Sequence, residues 1–274
     1  MKYLITLGCS WTWGAGVGYT SGMSDVDFKK IVFDKNVADT LSFRNILAEQ
    51  YGYKNINMSI WRSSNRRQFR LARNFFSGTS FNSIKQSGSE VIVLWGITST
   101  GRNEWFSSMN NDYTNFLLSS DKHPCPVEKN MSEFMLKNIY DHNHEIFELA
   151  QEMNHWNSFF NALGIKNYWF DSFNHHDYTL DSPGLKQGSE SNYKNNTQIN
   201  NFVIDHPTSR DLMSQLAIDS EFNNNIDGYH TSQWVKDTNR IDHLIANDLI
   251  NPYSFHPTLL GHTKIAKLFD HLFK

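Results

Sequence analysis

The feature that most constrains the fold is a short apolar run, SEVIVLWG at residues 89–96. The run is rich in β-branched residues and does not alternate between polar and apolar, which indicates a strand with helices on both of its faces. Shorter runs at 3–7, 54–60 and 165–172 predict three further strands. Strands that alternate with helical segments predict an α/β fold with a mainly parallel sheet between two helical layers.

The helices of this alternating pattern are predicted from apolar residues at helical spacing. It predicts helices at 40–52, 63–76, 132–163 and 256–273, with a loop at 14–38 after the first strand. Ligands of such sheets bind at the carboxyl ends of the strands. We therefore expect the functional residues in the loops that follow the strands.

The length of the chain suits a single domain. Its 274 residues, 39% of them hydrophobic, are enough for a substantial core. Residues 174–255 are rich in Asn, Asp, Ser and His and have weak periodicity, apart from a helix predicted at 209–219. We expect one domain over 1–274 with a long irregular insertion at about 174–255 that covers the site.

The charge balance limits the partners that the chain could bind. A formal net charge of −3 gives no positive field for nucleic acid. No run is long enough to span a membrane, and the opening MKYLITLGC has too short an apolar run for a lipoprotein signal. We expect a small-molecule or glycan ligand and a cytoplasmic protein, with a virion or host cytoplasm as the alternative for a phage gene.

Two motifs at opposite ends of the chain resemble those of the SGNH, or GDSL, hydrolase family. These are LGCSWTWG after the first strand and HPTLLGHTKIAKLF at the carboxyl end. The family places a nucleophilic serine in the first motif and a histidine in the second, which here are Ser10 and His256. The resemblance implies a three-layer α/β/α sandwich with a flavodoxin-like sheet. The alternative interpretations are that Ser10 is a turn or helix-capping residue and that His256 is a capping or core residue.

That pairing makes chemical sense because a serine hydroxyl is a poor nucleophile until a neighbouring imidazole takes its proton.

In the family, a glycine amide after strand two and an asparagine side chain after strand three bind the oxyanion. Here Arg62 and Thr98 stand at those positions, with Asn65 as a further donor. Losing one donor typically costs ~10²–10³ in turnover. Arg102 is a candidate substrate clamp, or a surface arginine.

In the family, an acidic residue completes a catalytic triad with the serine and the histidine. After the oxyanion donors, this acid is the second point at which the sequence departs from the family pattern. The family has an aspartate three residues before its histidine, and that position is Tyr253 in NPYSFHP. Asp248 or a backbone carbonyl are the alternatives for orienting the imidazole. DGYH, from Asp227 to His230, has the Asp-x-x-His spacing but lacks the proline and the terminal helix, so it is a minor alternative.

Several other features have simpler interpretations. The tryptophans near the proposed strand ends are either a platform for a sugar or part of the core; these are Trp11, Trp13, Trp61, Trp95 and Trp105. The helical stripe of Arg66, Arg70 and Arg73 is expected to be solvated. Adjacent histidines of a strand point to opposite faces, so His175 and His176 beside Asp177 do not predict a metal site.

The sequence therefore predicts a serine esterase without cofactor or metal. Ser10 would attack the carbonyl of an ester, with His256 as general base and then acid, and water would hydrolyse the acyl-enzyme. A small acyl group on a carbohydrate is the expected substrate. The side chain of Cys9 is expected to pack inward. Cys9 and Cys125 are the two cysteines of the sequence, and two are too few for a disulfide framework. The alternatives are a weakened binding or structural protein with the same fold, and an acyltransferase.

Overall fold

The computed structural model describes residues 1–107, 111–118, 126–172, 176, 178, 199, 201–204, 211–222 and 238–274. The strands are β1 (Lys2–Leu7), β2 (Lys54–Asn57), β3 (Glu90–Ile97), β4 (Arg102–Ser107), β5 (Asp112–Leu117) and β6 (Lys166–Asp171). Four of them form a parallel sheet in the order β2-β1-β3-β6, and β4 and β5 form a separate antiparallel pair. The predicted α/β class with a mainly parallel sheet is confirmed.

Helices occupy most of the segments between the strands. They are α1 (Ser10–Trp13), α2 (Asp25–Ile31), α3 (Lys35–Leu41), α4 (Phe43–Tyr51), α5 (Asn65–Phe76), α6 (Thr79–Gln86), α7 (Pro126–Asn138), α8 (His142–Ala162), α9 (Leu212–Ile218), α10 (Thr238–Ala246) and α11 (Leu259–Phe269), and a short 3-10 helix follows at Asp270–Phe273. In the described part of the chain, no helix combines the length and apolar character needed to cross a membrane.

Alternate residues of the strands bury opposite faces of the sheet. On one face Leu4 and Leu94 pack with residues of α4, α9, α10 and α11. On the other face Ile5 and Val93 pack with residues of α5, α6 and α8. All four side chains are fully buried. The apolar run at 89–96 lacks alternation because helices cover both faces of β3.

The structure corrects the predicted loop at 14–38, which contains α2 and all but the last turn of α3. Both helices begin at a capping side chain: Ser24 accepts a hydrogen bond from the Asp27 amide, and Asp34 accepts from the Asn36 amide. Phe28 is the one buried side chain of α2. Such helices are held by caps and exposed ion pairs and have little apolar periodicity to detect.

Further elements were not predicted, and α6 is one of them. The β4–β5 hairpin was missed, and Phe106 and Tyr113 pair across it with ring centroids 5.4 Å apart. Within 174–255, the predicted helix at 209–219 is present as α9, but α10 was expected to be irregular. Its Leu244 is fully buried in the core cluster next to α9 and α11. The insertion is therefore partly helical in the portion that the structure describes.

Candidate active site

The loops after three neighbouring strands meet at one edge of the sheet. Leu7 at the end of β1 pairs with Trp95 of β3, and the Ile60 amide donates to the Gly8 carbonyl at 3.1 Å. The chain then leaves β1, β2 and β3 towards Ser10, Arg62 and Thr98 respectively. The three loops that the sequence analysis singled out are therefore neighbours in space.

A tight turn delivers Ser10 from β1. Gly8 has a positive φ of 150°, and a Cβ there would lie 3.0 Å from the Gly96 carbonyl oxygen and 2.2 Å from Thr12 Oγ1. Only glycine fits this close approach. Cys9 follows and is fully buried in the core, as predicted, and Ser10 is the first residue of α1.

The structure brings Ser10 and His256 together. Ser10 Oγ lies 2.7 Å from His256 Nε2, within hydrogen-bond distance. His256 lies just before α11, whose first turn is capped by Thr258. Gly261 in that turn packs against the preceding chain, since a Cβ there would be 2.2 Å from the Leu249 carbonyl oxygen. The glycine of the second motif therefore keeps the histidine loop close to the sheet.

The other nitrogen of the imidazole meets a hydroxyl and not a carboxylate. His256 Nδ1 lies 2.9 Å from Ser254 Oγ, and no carboxylate of the described residues hydrogen-bonds to the ring. Tyr253, at the position of the family acid, points away, because its hydroxyl donates to the Met23 carbonyl at 2.7 Å. The Asp248 carbonyl accepts the Thr258 hydroxyl. Asp227 and His230 lie outside the described residues.

Ser254 and its neighbour Asn251 are the site residues that sequence reasoning missed. The Ser254 hydroxyl donates to Asn251 Oδ1 at 3.0 Å, and Asn251 Nδ2 donates to the His256 carbonyl at 2.8 Å. The only signal available in the sequence was a pair of small polar residues, two and five positions before the histidine.

The environment of His256 keeps its ring uncharged. Loss of hydration and the positive charge of Arg102 lower the pKa of His256 to about 3, although a hydrogen bond with the backbone of Ser254 acts in the opposite direction. A neutral imidazole at pH 7 is the form that can accept a proton from a serine hydroxyl.

Candidate donors for a developing oxyanion lie in the loops that follow β1, β2 and β3. Among the described residues, the backbone N–H groups of Ser10 and Arg62 make no hydrogen bond, and the buried Thr98 hydroxyl has no partner. Arg62 has a positive φ of 58°, a conformation that suits the glycine of the family pattern. The Asn65 side chain instead bridges Thr98, accepting from its N–H at 2.9 Å and donating to its carbonyl at 2.8 Å.

Arg102, whose positive charge acts on His256, also lines a cleft of about 620 Å³ between α5, α8 and β4, but neither Ser10 nor His256 lines that cleft. Arg70 forms two hydrogen bonds of 2.9 Å with Glu104 there. Arg66 and Arg73 form ion pairs with glutamates of α8. The prediction of a solvated stripe is therefore wrong for Arg70, because its partner Glu104 is buried. All three arginines line the cleft.

The tryptophans divide between core and surface. Three are buried, namely Trp11, Trp13 and Trp95, and two are 37% exposed, namely Trp61 and Trp105. The ring centroids of Trp61 and Phe33 are 4.4 Å apart, and the Arg62 guanidinium lies 5.0 Å from the centroid of the Trp61 ring. Of these five tryptophans, Trp61 and Trp105 are therefore the two that offer exposed aromatic surface.

No group of residues suited to a metal ion occurs in the described ranges. His176 is buried and its Nδ1 lies 3.0 Å from Asp171 Oδ1, which also accepts the Tyr178 hydroxyl at 2.8 Å. His175, Asp177 and Cys125 lie outside the described residues.

Comparison with known proteins adds no relative to this description. No family model matches the chain, and neither curated proteins nor solved structures match it. The chemistry of the site therefore has to be argued from its own geometry, above all from the contact between Ser10 and His256.

Proposed function

We propose that this chain is a serine-dependent ester hydrolase of the SGNH type. The observation that carries the proposal is the 2.7 Å hydrogen bond between Ser10 Oγ and His256 Nε2. A nucleophile and a base within this distance are the signature of an activated serine. The sheet order β2-β1-β3-β6 and the helices on both faces support a three-layer sandwich with a flavodoxin-like sheet.

The proposed reaction proceeds in two acyl-transfer steps. Ser10 Oγ attacks the ester carbonyl while His256 Nε2 takes its proton, and the amides of Ser10 and Arg62 stabilise the oxyanion, with the Thr98 hydroxyl as a third donor. The alkoxide then leaves with the proton from His256, and an acyl-enzyme remains. Water attacks the acyl-enzyme in the same way, returning a proton to Ser10 and releasing the acid.

For the substrate, we propose an ester that carries a small acyl group on a carbohydrate. The support is the aromatic surface that Trp61, the neighbour of Arg62, forms with Phe33, because both rings are partly exposed and a sugar could pack against that surface. The cleft next to Arg102 adds fixed donors and acceptors from its arginine–glutamate pairs. Arg102 both lines the cleft and acts on His256, so it is the residue that would contact an ester bound between them.

Hydrolysis of p-nitrophenyl acetate tests this function. We expect saturable release of p-nitrophenol above the rate in buffer, and free acetate as the second product. Release with glycerol acetate as the main product, when glycerol is present, would instead identify an acyltransferase. A rate equal to that in buffer, from protein that is folded, would favour a binding or structural protein with this fold.

The substitution Gly16→Ala is expected to reduce kcat/KM for this ester by about 10²-fold, the effect of moving a catalytic group by about 1 Å. Gly16 has a positive φ of 91°, and a Cβ there would lie 2.7 Å from Asn251 Nδ2 and 2.8 Å from His256 Cβ. The new methyl group would therefore displace the histidine loop from Ser10.

The matched control for that variant is Gly22→Ala. Gly22 also has a positive φ, of 83°, but a Cβ there would meet no atom within 4 Å. Both variants therefore carry the backbone strain, and only Gly16→Ala carries the clash. Equal activity of the two variants would contradict the importance of the packing between Gly16 and His256.

A further inference from the structure

The hydrogen bonds of Asn251 allow only one orientation of its side-chain amide. Asn251 Oδ1 accepts from the amides of Tyr253 at 3.2 Å and Ser254 at 2.8 Å, and from the Ser254 hydroxyl at 3.0 Å. Asn251 Nδ2 donates to the His256 carbonyl at 2.8 Å. Two backbone donors face one end of the amide and an acceptor faces the other, so exchanging oxygen and nitrogen would break these contacts.

The orientation of the amide determines where the proton of the Ser254 hydroxyl lies. The hydroxyl has one proton, and Asn251 Oδ1 can only accept it. The lone pairs of Ser254 Oγ are then left for His256 Nδ1, 2.9 Å away, which must supply a proton to this contact. In a neutral ring, Nε2 then has no proton and accepts the one from Ser10 Oγ.

We propose that Ser254 and Asn251 are positioning residues that replace the triad carboxylate with an uncharged relay. Asn251 directs the hydroxyl of Ser254, and that hydroxyl keeps the proton of His256 on Nδ1. The relay thereby keeps Nε2 available to take the proton of Ser10. The consequence for turnover rests on the proposed function, whereas the position of the proton does not.

An uncharged relay differs from a carboxylate in one respect that matters for the reaction. A carboxylate both orients the imidazole and stabilises its charged form, but a hydroxyl mainly orients it. Within the part of the chain that the structure describes, the charged and titratable groups that act on this ring or respond to it are Arg102 and His262, and Arg102 opposes protonation of His256. The relay therefore selects the correct tautomer and leaves His256 a weak base.

Nitrogen-15 NMR of the histidine-labelled protein at pH 7 reads this tautomer directly. The signals of His256, one of 12 histidines, are identified by their absence from a His256→Gln variant. We expect Nδ1 to carry the proton in the wild-type protein and in Ser254→Thr, which keeps the hydroxyl. In Ser254→Ala and Asn251→Ala we expect protonated Nε2 to become populated, because the acceptor is lost or is free to rotate.

Turnover of p-nitrophenyl acetate by the same variants is a separate readout. We expect Ser254→Ala to lower kcat by about 10²-fold, the lower end of what a general base contributes, with KM nearly unchanged and Ser254→Thr partly restoring kcat. Protonated Nε2 in the wild-type protein, or an unaltered tautomer in both alanine variants, would overturn the relay. The expected tautomers without any turnover would leave the relay intact and contradict the esterase.

Discussion

Replacing Ser10 by alanine is expected to lower kcat for p-nitrophenyl acetate by at least ~10³-fold, because no acyl-enzyme can form without the oxygen of the nucleophile. The Ser10 side chain is 5% exposed, and its described contact is the one with His256 Nε2. The substitution removes one oxygen atom from the site. The fold and the binding of the ester are therefore expected to change little, and the loss is expected in kcat.

Ser83→Ala is the matched control for this variant. Ser83 is exposed on α6, and its hydroxyl donates only to the Thr79 carbonyl within its own helix. It should retain full activity. Thermal unfolding of Ser10→Ala within a few degrees of the wild-type protein establishes that the site alone has changed. Activity retained in Ser10→Ala would assign the nucleophile to another residue.

Acidification from pH 6.5 to pH 5 is expected to destabilise the folded protein through His262. Burial is the main cause that lowers the pKa of His262 to about 3, and the positive charge of Arg44 and the repulsion between protonated His262 and protonated His256 add to it. The unfolded chain binds a proton near pH 6.5, and the folded chain does not until about pH 3. The contribution is therefore complete above pH 6.5 and decreases as the pH falls.

Urea unfolding at several pH values measures this effect. Each such histidine contributes a slope of up to about 1.4 kcal/mol in the free energy of unfolding per pH unit. His262→Asn should reduce the slope between pH 6.5 and pH 5, a range above the titration of most carboxylates. The Phe43 amide donates to His262 Nδ1 at 3.3 Å, and asparagine offers a similar acceptor. An equal slope in the variant would contradict a neutral, buried His262.

The parts of the fold that could be predicted are those that depend on burial. From Val91 onwards β3 is apolar and buried because both of its faces are covered, and that pattern is visible in the sequence. The helices of 14–38 escaped prediction because they bury little, and the β4–β5 hairpin because its exposed aromatic residues do not mark a core. Trp105 and Phe106 are 37% and 53% exposed.

Residues of the site could be predicted only where the reaction requires a particular residue type at a recognisable position in a motif. Ser10 and His256 stand in two recognisable motifs, and the structure places their side chains together. Ser254 was missed because its contact with His256 depends on a turn closed by Asn251, and serine and asparagine are common in turns of any kind. No spacing rule separates a hydroxyl that orients an imidazole from one that closes a turn.

Reaction with a fluorophosphonate probe, followed by intact mass, tests the central claim most directly. The probe forms a covalent bond with the oxygen of an activated serine. We expect one probe molecule per chain on the wild-type protein, the same on Ser83→Ala, and none on Ser10→Ala. Absence of labelling on the folded wild-type protein, or labelling that persists in Ser10→Ala, would contradict activation of Ser10 by His256.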